Sequence, residues 1–263
     1  MTKTAFGSGP SAQDTAAYDR YIHSVEVRLS ADHSSVPSFL IRSSGVDTQL
    51  RRGAILIAPV DQSVRPPLQK AMLHHWRATS FIPGATVAEM EDLLKDAADY
   101  PRYFAPQVLR AHVLHQDATD LQMEMRVRQH HVITVEMDST YDVRFGRLDP
   151  LHGYSSSRST QLQEIASPGT PAERPLSPAQ EHGFLWRQNT YWSYEQRDGG
   201  LYIQVESISL TRSVPAGLGW AIGPYVESVP RDSLEFTLRA VCRALQTSHA
   251  QLTAASSPQP RNK

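Results

Sequence analysis

Asp198 and Gly199 stand between two long runs, FLWRQNTYWSYEQ (184–196) and LYIQVESISLT (201–211), both rich in aromatic and β-branched residues. An Asp-Gly pair in such a setting is the strongest short-range sign of a two-residue hairpin turn. That turn sets a register. Tyr194 should oppose Ile203, Trp192 oppose Val205, Tyr191 oppose Glu206, Asn189 oppose Ile208, and Arg187 oppose Leu210. Runs well beyond the usual roughly 5–6 residues must twist and coil. A coiled antiparallel sheet then needs a partner across its hollow face. In the second run the apolar positions change parity, from Ile203 and Val205 to Ile208 and Leu210, which predicts a β-bulge near Glu206-Ser207.

Other segments fit the same plan. LQMEMRV (121–127) and VITVEMDSTYDVRF (132–145) flank Gln129-His130-His131. With those three as the loop, Val127 should face Ile133, Met125 face Val135 and Met123 face Met137. Glu124, Arg126 and Glu136 then lie on the opposite face. GYSSSRSTQLQEI (153–165) reads as the next strand, and the proline-rich 166–183 as a loop. Upstream, Tyr18, Ile22, Val25 and Leu29 recur at helical spacing, and GAILIAPV (53–60) and HHWRATSFIP (74–83) read as strands. Thr86 and Glu89 form a capping box ahead of Val87, Met90, Leu93, Leu94 and Ala97, with Pro101 closing the helix. Downstream, Asp232 and Glu235 predict a second capped helix start. Leu234, Leu238, Val241 and Leu245 form the stripe that would fill the hollow.

The segment ATVAEMEDLLKDAADYPRYFAPQVLRAHVL (85–114) resembles the opening of START-like proteins, the SRPBCC or helix-grip superfamily. The features carrying it are Leu93-Leu94, Asp96 or Asp99, Tyr100-Pro101, Pro106 and an outgoing strand. Within the superfamily the chain is similar to bacterial proteins of unassigned function that share segments here occupying His182–Arg187, Ser207–Arg212 and Gly217–Ser228. In those proteins alanine stands where this chain has Ser207. The resemblance implies an α+β helix-grip fold over 71–250, a curved antiparallel sheet wrapped around a long C-terminal helix. A helical N-terminal extension (1–70) would precede it and a disordered tail (251–263) follow. It also implies a cavity between sheet and last helix, and no shared catalytic motif.

A net charge of −1 offers no bulk attraction to nucleic acid. Cys242 is the only cysteine, so no intrachain disulfide forms, and the N-terminal residues lack a secretory apolar run. A cytoplasmic location is the resulting expectation. His74-His75 and His130-His131 are adjacent strand residues that point to opposite faces, and no metal-binding spacing occurs; no metal or cofactor is expected. LTRSVPAGLGWAIGPYVES (210–228) carries three glycines, but a phosphate-binding loop belongs to a βαβ unit with a later acidic residue, and neither follows here. Its apolar residues suggest a lid instead, with Leu218 and Trp220 at the cavity mouth and transient membrane contact as a further use. Arg158, Arg187, Asn189, Tyr191 and Glu206 are the residues expected to meet the polar end of a small, largely apolar or amphipathic ligand. Two alternatives use the same residues or none. In the first, a cyclase- or hydrolase-type enzyme, Glu206 acts as general base and Tyr191 or Arg187 as oxyanion stabiliser. The second is an interaction module with a filled core.

Overall fold

The computed structural model describes residues 9–41, 45–60, 66–130, 134–213 and 219–255, the side chains of 219–227 and 248–255 excepted. Its helices are α1 (Ala12–Asp32), α2 (Val46–Arg51), α3 (Val87–Lys95), α4 (Tyr100–Tyr103) and α5 (Gly219–Ala255). Its strands are β1 (Leu56–Pro59), β2 (Ala71–Pro83), β3 (Val108–Gln116), β4 (Asp120–His130) and β5 (Thr134–Asp149). β6 (His152–Ala166), the short β7 (Arg174–Pro175), β8 (Arg187–Arg197) and β9 (Gly200–Arg212) complete them. All pair antiparallel in the order β1-β2-β9-β8-β6-β5-β4-β3, with β7 added to β6. An antiparallel sheet against a long C-terminal helix is the helix-grip arrangement expected from the sequence.

Asp198 and Gly199 adopt φ 55° and 74°, the left-handed pair that a type I′ turn requires. The five predicted pairs across β8 and β9 all form. The β4–β5 hairpin differs: Val127 pairs with Met137, Met125 with Ser139 and Met123 with Tyr141. Alternation distinguishes only odd from even slips, so this even displacement keeps every side chain on its predicted face. Arg126 and Glu136 do not lie on an open surface. The proline-rich loop folds back over them, and Glu173 reaches Arg126 at 2.9 Å, so both are buried.

No bulge interrupts β9, whose ladders with β2 and β8 run unbroken. The parity change has another cause: both faces of β9 are covered. On the hollow face, Leu234, Leu238, Val241 and Leu245 of α5 pack against Ala78, Ile82, Trp192, Tyr194, Ile203 and Val205, with Met90 and Leu94 of α3 alongside. On the outer face, Tyr18, Ile22, Val25 and Leu29 of α1 pack against Trp186, Tyr191, Ile208 and Leu210. A strand buried on both sides is apolar in both parities. The N-terminal segment is therefore a third layer of the same body, and β1 extends its sheet.

α5 begins at Gly219, far ahead of the predicted start, so the segment read as a glycine-bearing lid loop is helical from that residue on. Asp232 lies inside the helix and pairs with Arg231, while Glu235 pairs with Arg239. Side chains that would cap a helix start serve equally well as neighbouring-turn ion pairs, which is why the capping signature misled. Among the described residues, no helix is long and apolar enough to cross a membrane.

Candidate functional site

Strand alternation and the apolar cluster together identify the residues lining the hollow face. Near the β8–β9 turn this face is hydrocarbon, with Leu201, Ile203, Val205, Trp192 and Tyr194 under the second half of α5. Beyond Trp192 and Val205 its chemistry changes. β9 continues with Ser207, Ser209 and Thr211, β8 with Thr190 and Gln188, and β2 with His74, all on the same side by register. Ser155, Ser157 and Ser159 of β6 and Tyr141 of β5 extend the polar zone. The Tyr141 hydroxyl donates to Gln188 Oε1 at 2.8 Å, and Gln188 N–H donates to Ser159 Oγ at 2.9 Å. His74 Nε2 lies 3.1 Å from Thr211 Oγ1. Met123, Met125, Val127 and Met137 supply the apolar wall opposite. Gln129 Nε2 donates to Ser233 Oγ at 2.9 Å, tying the end of β4 to α5 across the hollow.

These polar groups are neutral. Burial pulls the His74 imidazole down to about 4 and pushes the Tyr141 phenol up to about 12. At neutral pH the zone offers hydroxyls, one amide and one uncharged imidazole. Polar backbone-facing pairs leave other lone pairs and protons able to engage a guest.

The residues expected to meet the ligand lie elsewhere. Arg158, Arg187, Asn189, Tyr191 and Glu206 occupy the outer face, on the side of α1, because Tyr191 and Ile208 pack with that helix and the others share their parity. Glu206 Oε2 accepts from Arg28 at 2.6 Å and from His75 at 2.8 Å, and Oε1 accepts from Arg77 at 2.8 Å. Burial alone would raise its pKa, but the His75 hydrogen bond and the Arg77 and Arg28 charges outweigh that and hold it at about 2. A general base works best near the operating pH, so Glu206 is an anchor for α1 and no base. The Tyr191 hydroxyl donates to Glu26 at 3.0 Å and accepts from Asn189 at 3.1 Å, while Tyr18 donates to Asn189 at 3.1 Å. The hairpin register was right, but assigning the mixed face to the hollow inverted the sheet. The signal that decides it is the α1 stripe, which needs an apolar surface and finds it at Trp186, Tyr191, Ile208 and Leu210. Leu218 lies outside the described residues, and Trp220 lies in α5 with its side chain outside them.

His74 and His75 point to opposite faces as predicted, one into the hollow and one to Glu206. Among the described residues no group of ligating side chains could hold a metal. Cavities border the described residues away from this polar zone. One of ≈ 290 Å³ borders α5 and β2 at Ile55, Ser80, Cys242 and Arg243; one of ≈ 370 Å³ lies at Leu50, Ile57, Arg77 and Tyr202. The stripe from Leu234 to Leu245 is packed solid, at most 4% exposed.

Two of the sequence segments behind the family resemblance form a clasp. Buried Glu164 accepts from the backbone N–H of His182 at 2.9 Å, Gly183 at 2.9 Å and Phe184 at 3.2 Å. Trp186 N–H donates to Leu210 O and Arg212 N–H to Gly183 O, both at 2.8 Å. HGFLWR and SISLTR thus lock the start of β8 to the end of β9.

No family model matches the chain, and no curated protein matches its sequence. Several solved structures follow a similar chain path. The STAR-related lipid transfer protein of Xanthomonas axonopodis is 15% identical, with TM-score 0.45, over 72% of this chain and 98% of that one. The Zhui aromatase/cyclase of a Streptomyces species is 13% identical, with TM-score 0.45, over 71% and 100%. Human STARD10 is 9% identical, with TM-score 0.44, over 84% and 91%.

Proposed function

We propose that the protein binds a small, largely apolar molecule with one polar end, held in the hollow of the sheet beneath the first half of α5. The observation that carries this reading is the change of the hollow face from hydrocarbon to hydroxyl along β8 and β9. Ser209, Thr211 and His74 are at most 8% exposed. Burying polar groups costs roughly 1–3 kcal/mol each unless they are hydrogen-bonded. A core that only had to be filled would continue the Ile203–Val205 pattern to the end of the strand. Thr211 and His74 partner each other, and a guest with a polar end would use the hydrogen-bonding capacity that the zone has left. Its apolar body would lie against Met123, Met125, Val127 and Met137, where flexible thioethers adapt to varied shapes. Leu218 and Trp220 stay part of this proposal as ligand contacts.

Native mass spectrometry of the purified protein tests this directly. The expected result is a co-purifying small molecule, or a melting shift with members of a lipid and metabolite panel. Filling the polar zone with Ser209→Leu should abolish both while the fold survives. Protein that is always ligand-free and unmoved by the whole panel sinks the reading.

A further inference from the structure

We infer that the hollow selects an uncharged polar head, a hydroxyl or carbonyl, and rejects carboxylates and other anions; this rests on the binding reading above. Each group on the polar half is neutral: Ser207, Ser209, Thr211, Thr190, Gln188 and His74. A buried anion needs an opposite charge or several converging N–H donors, as Glu164 has in its clasp, and the described polar half supplies hydroxyls with neither. Among the described residues, the arginines beside the sheet are directed or paired elsewhere, Arg158 and Arg187 to the outer face. Arg28 and Arg77 serve Glu206 on the outer face. Arg147 is paired with Glu91 at the far end of the hollow. Arg231 is engaged by Asp232 and Glu235.

The stretch that leads from β9 into α5 adds a fact of sequence alone. Residues 213–230, SVPAGLGWAIGPYVESVP, contain no lysine, arginine or histidine. This holds wherever their side chains lie. Lys70, just ahead of β2, is exposed at the rim, where a solvated ammonium contributes little to a buried partner. A neutral hydroxyl or carbonyl, by contrast, finds donors and acceptors in the Thr211–His74 and Tyr141–Gln188 pairs.

The test uses the full chain at pH 8, where the His74 imidazole is neutral, and two apolar bodies, dodecyl and naphthyl, each as alcohol, methyl ester and carboxylate. Isothermal titration calorimetry should give Kd values for the better neutral member at least tenfold below that of the carboxylate. A smaller or reversed ratio overturns the inference and leaves the binding reading standing. No binding by any of the six overturns both. Thr190→Lys and Gln188→Lys, both at half-buried positions, place an ammonium in the hollow. Each variant that keeps the wild-type melting temperature should raise the relative affinity for carboxylate at least tenfold. An unchanged ratio in a folded variant refutes the assignment of the head to this zone.

Discussion

Glu206→Gln isolates the anchor that holds α1 against the outer face of the sheet. The substitution keeps the shape and one acceptor but removes the charge shared by Arg28, His75 and Arg77. Glu206 is 2% exposed, so solvent screening takes little from the interaction. Its carboxyl titrates at about 2 instead of the ordinary 4.5. At roughly 1.4 kcal/mol per pH unit this gap corresponds to about 3 kcal/mol. Breaking a buried ion pair by removing one partner costs a similar amount, roughly 3–5 kcal/mol. The two routes agree, and at about 2–4 °C per kcal/mol they predict a melting temperature lower by about 6–12 °C at pH 7. The folded pKa is depressed, so the contribution is complete above pH 4.5 and disappears as pH falls through about 2. Urea denaturation followed by far-ultraviolet circular dichroism should therefore show wild type and variant converging between pH 5 and pH 2. Arg28→Ala belongs in the same series, and its cost should overlap with that of Glu206→Gln instead of adding to it. A loss below about 1 kcal/mol at pH 7, or a difference that persists in acid, would refute the anchoring argument.

Three further outcomes follow from the same geometry. Burial holds both His74 and His33 near pKa 4, whereas the unfolded chain titrates near 6.5. Stability should therefore fall as pH drops from 6.5 to 4, by about 3 kcal/mol for each residue, and His74→Gln should flatten the slope measured by thermal melts. Gly183 has φ +80°, and a Cβ there would sit 2.8 Å from Arg212 Cβ and 2.9 Å from the Trp186 ring. Gly183→Ala should cost about 2–3 kcal/mol by loosening the Glu164 clasp, and a neutral result in urea denaturation contradicts that role. Leu238 is fully buried on the sheet-facing side of α5, and Leu238→Ala should cost about 3–5 kcal/mol in the same assay, the larger end indicating that the solid half of the grip does not relax.

Much of this was legible from residues near one another in the chain. The Asp198-Gly199 turn needs φ > 0 at both positions, and the eleven residues of β8 inherit their partners from it. The Thr86–Glu89 box is present with both of its hydrogen bonds. The helical spacing of Tyr18, Ile22, Val25 and Leu29 places all four on the buried face of α1. Where local reading failed, the deciding contact was distant. The β4–β5 register slid by four residues, His130 pairing with Thr134, because alternation does not specify where along the strands the reversal falls. The start of α5 was missed because Asp232 and Glu235 have the right chemistry for a cap and equally for salt bridges inside a helix.

Sequence by itself determined the strand pairings set by local turns, the identity of the docking stripes and the division of β9 into two apolar parities. Only tertiary structure decided which parity met α5 and which met α1. That choice moved Glu206, Tyr191 and Asn189 from an expected ligand site to the underside of an N-terminal helix, and brought Ser207, Ser209, Thr211 and His74 into the hollow. The reason is physical. A strand's two faces are chemically interchangeable until another layer covers one of them, and here the two covering helices come from opposite ends of the chain.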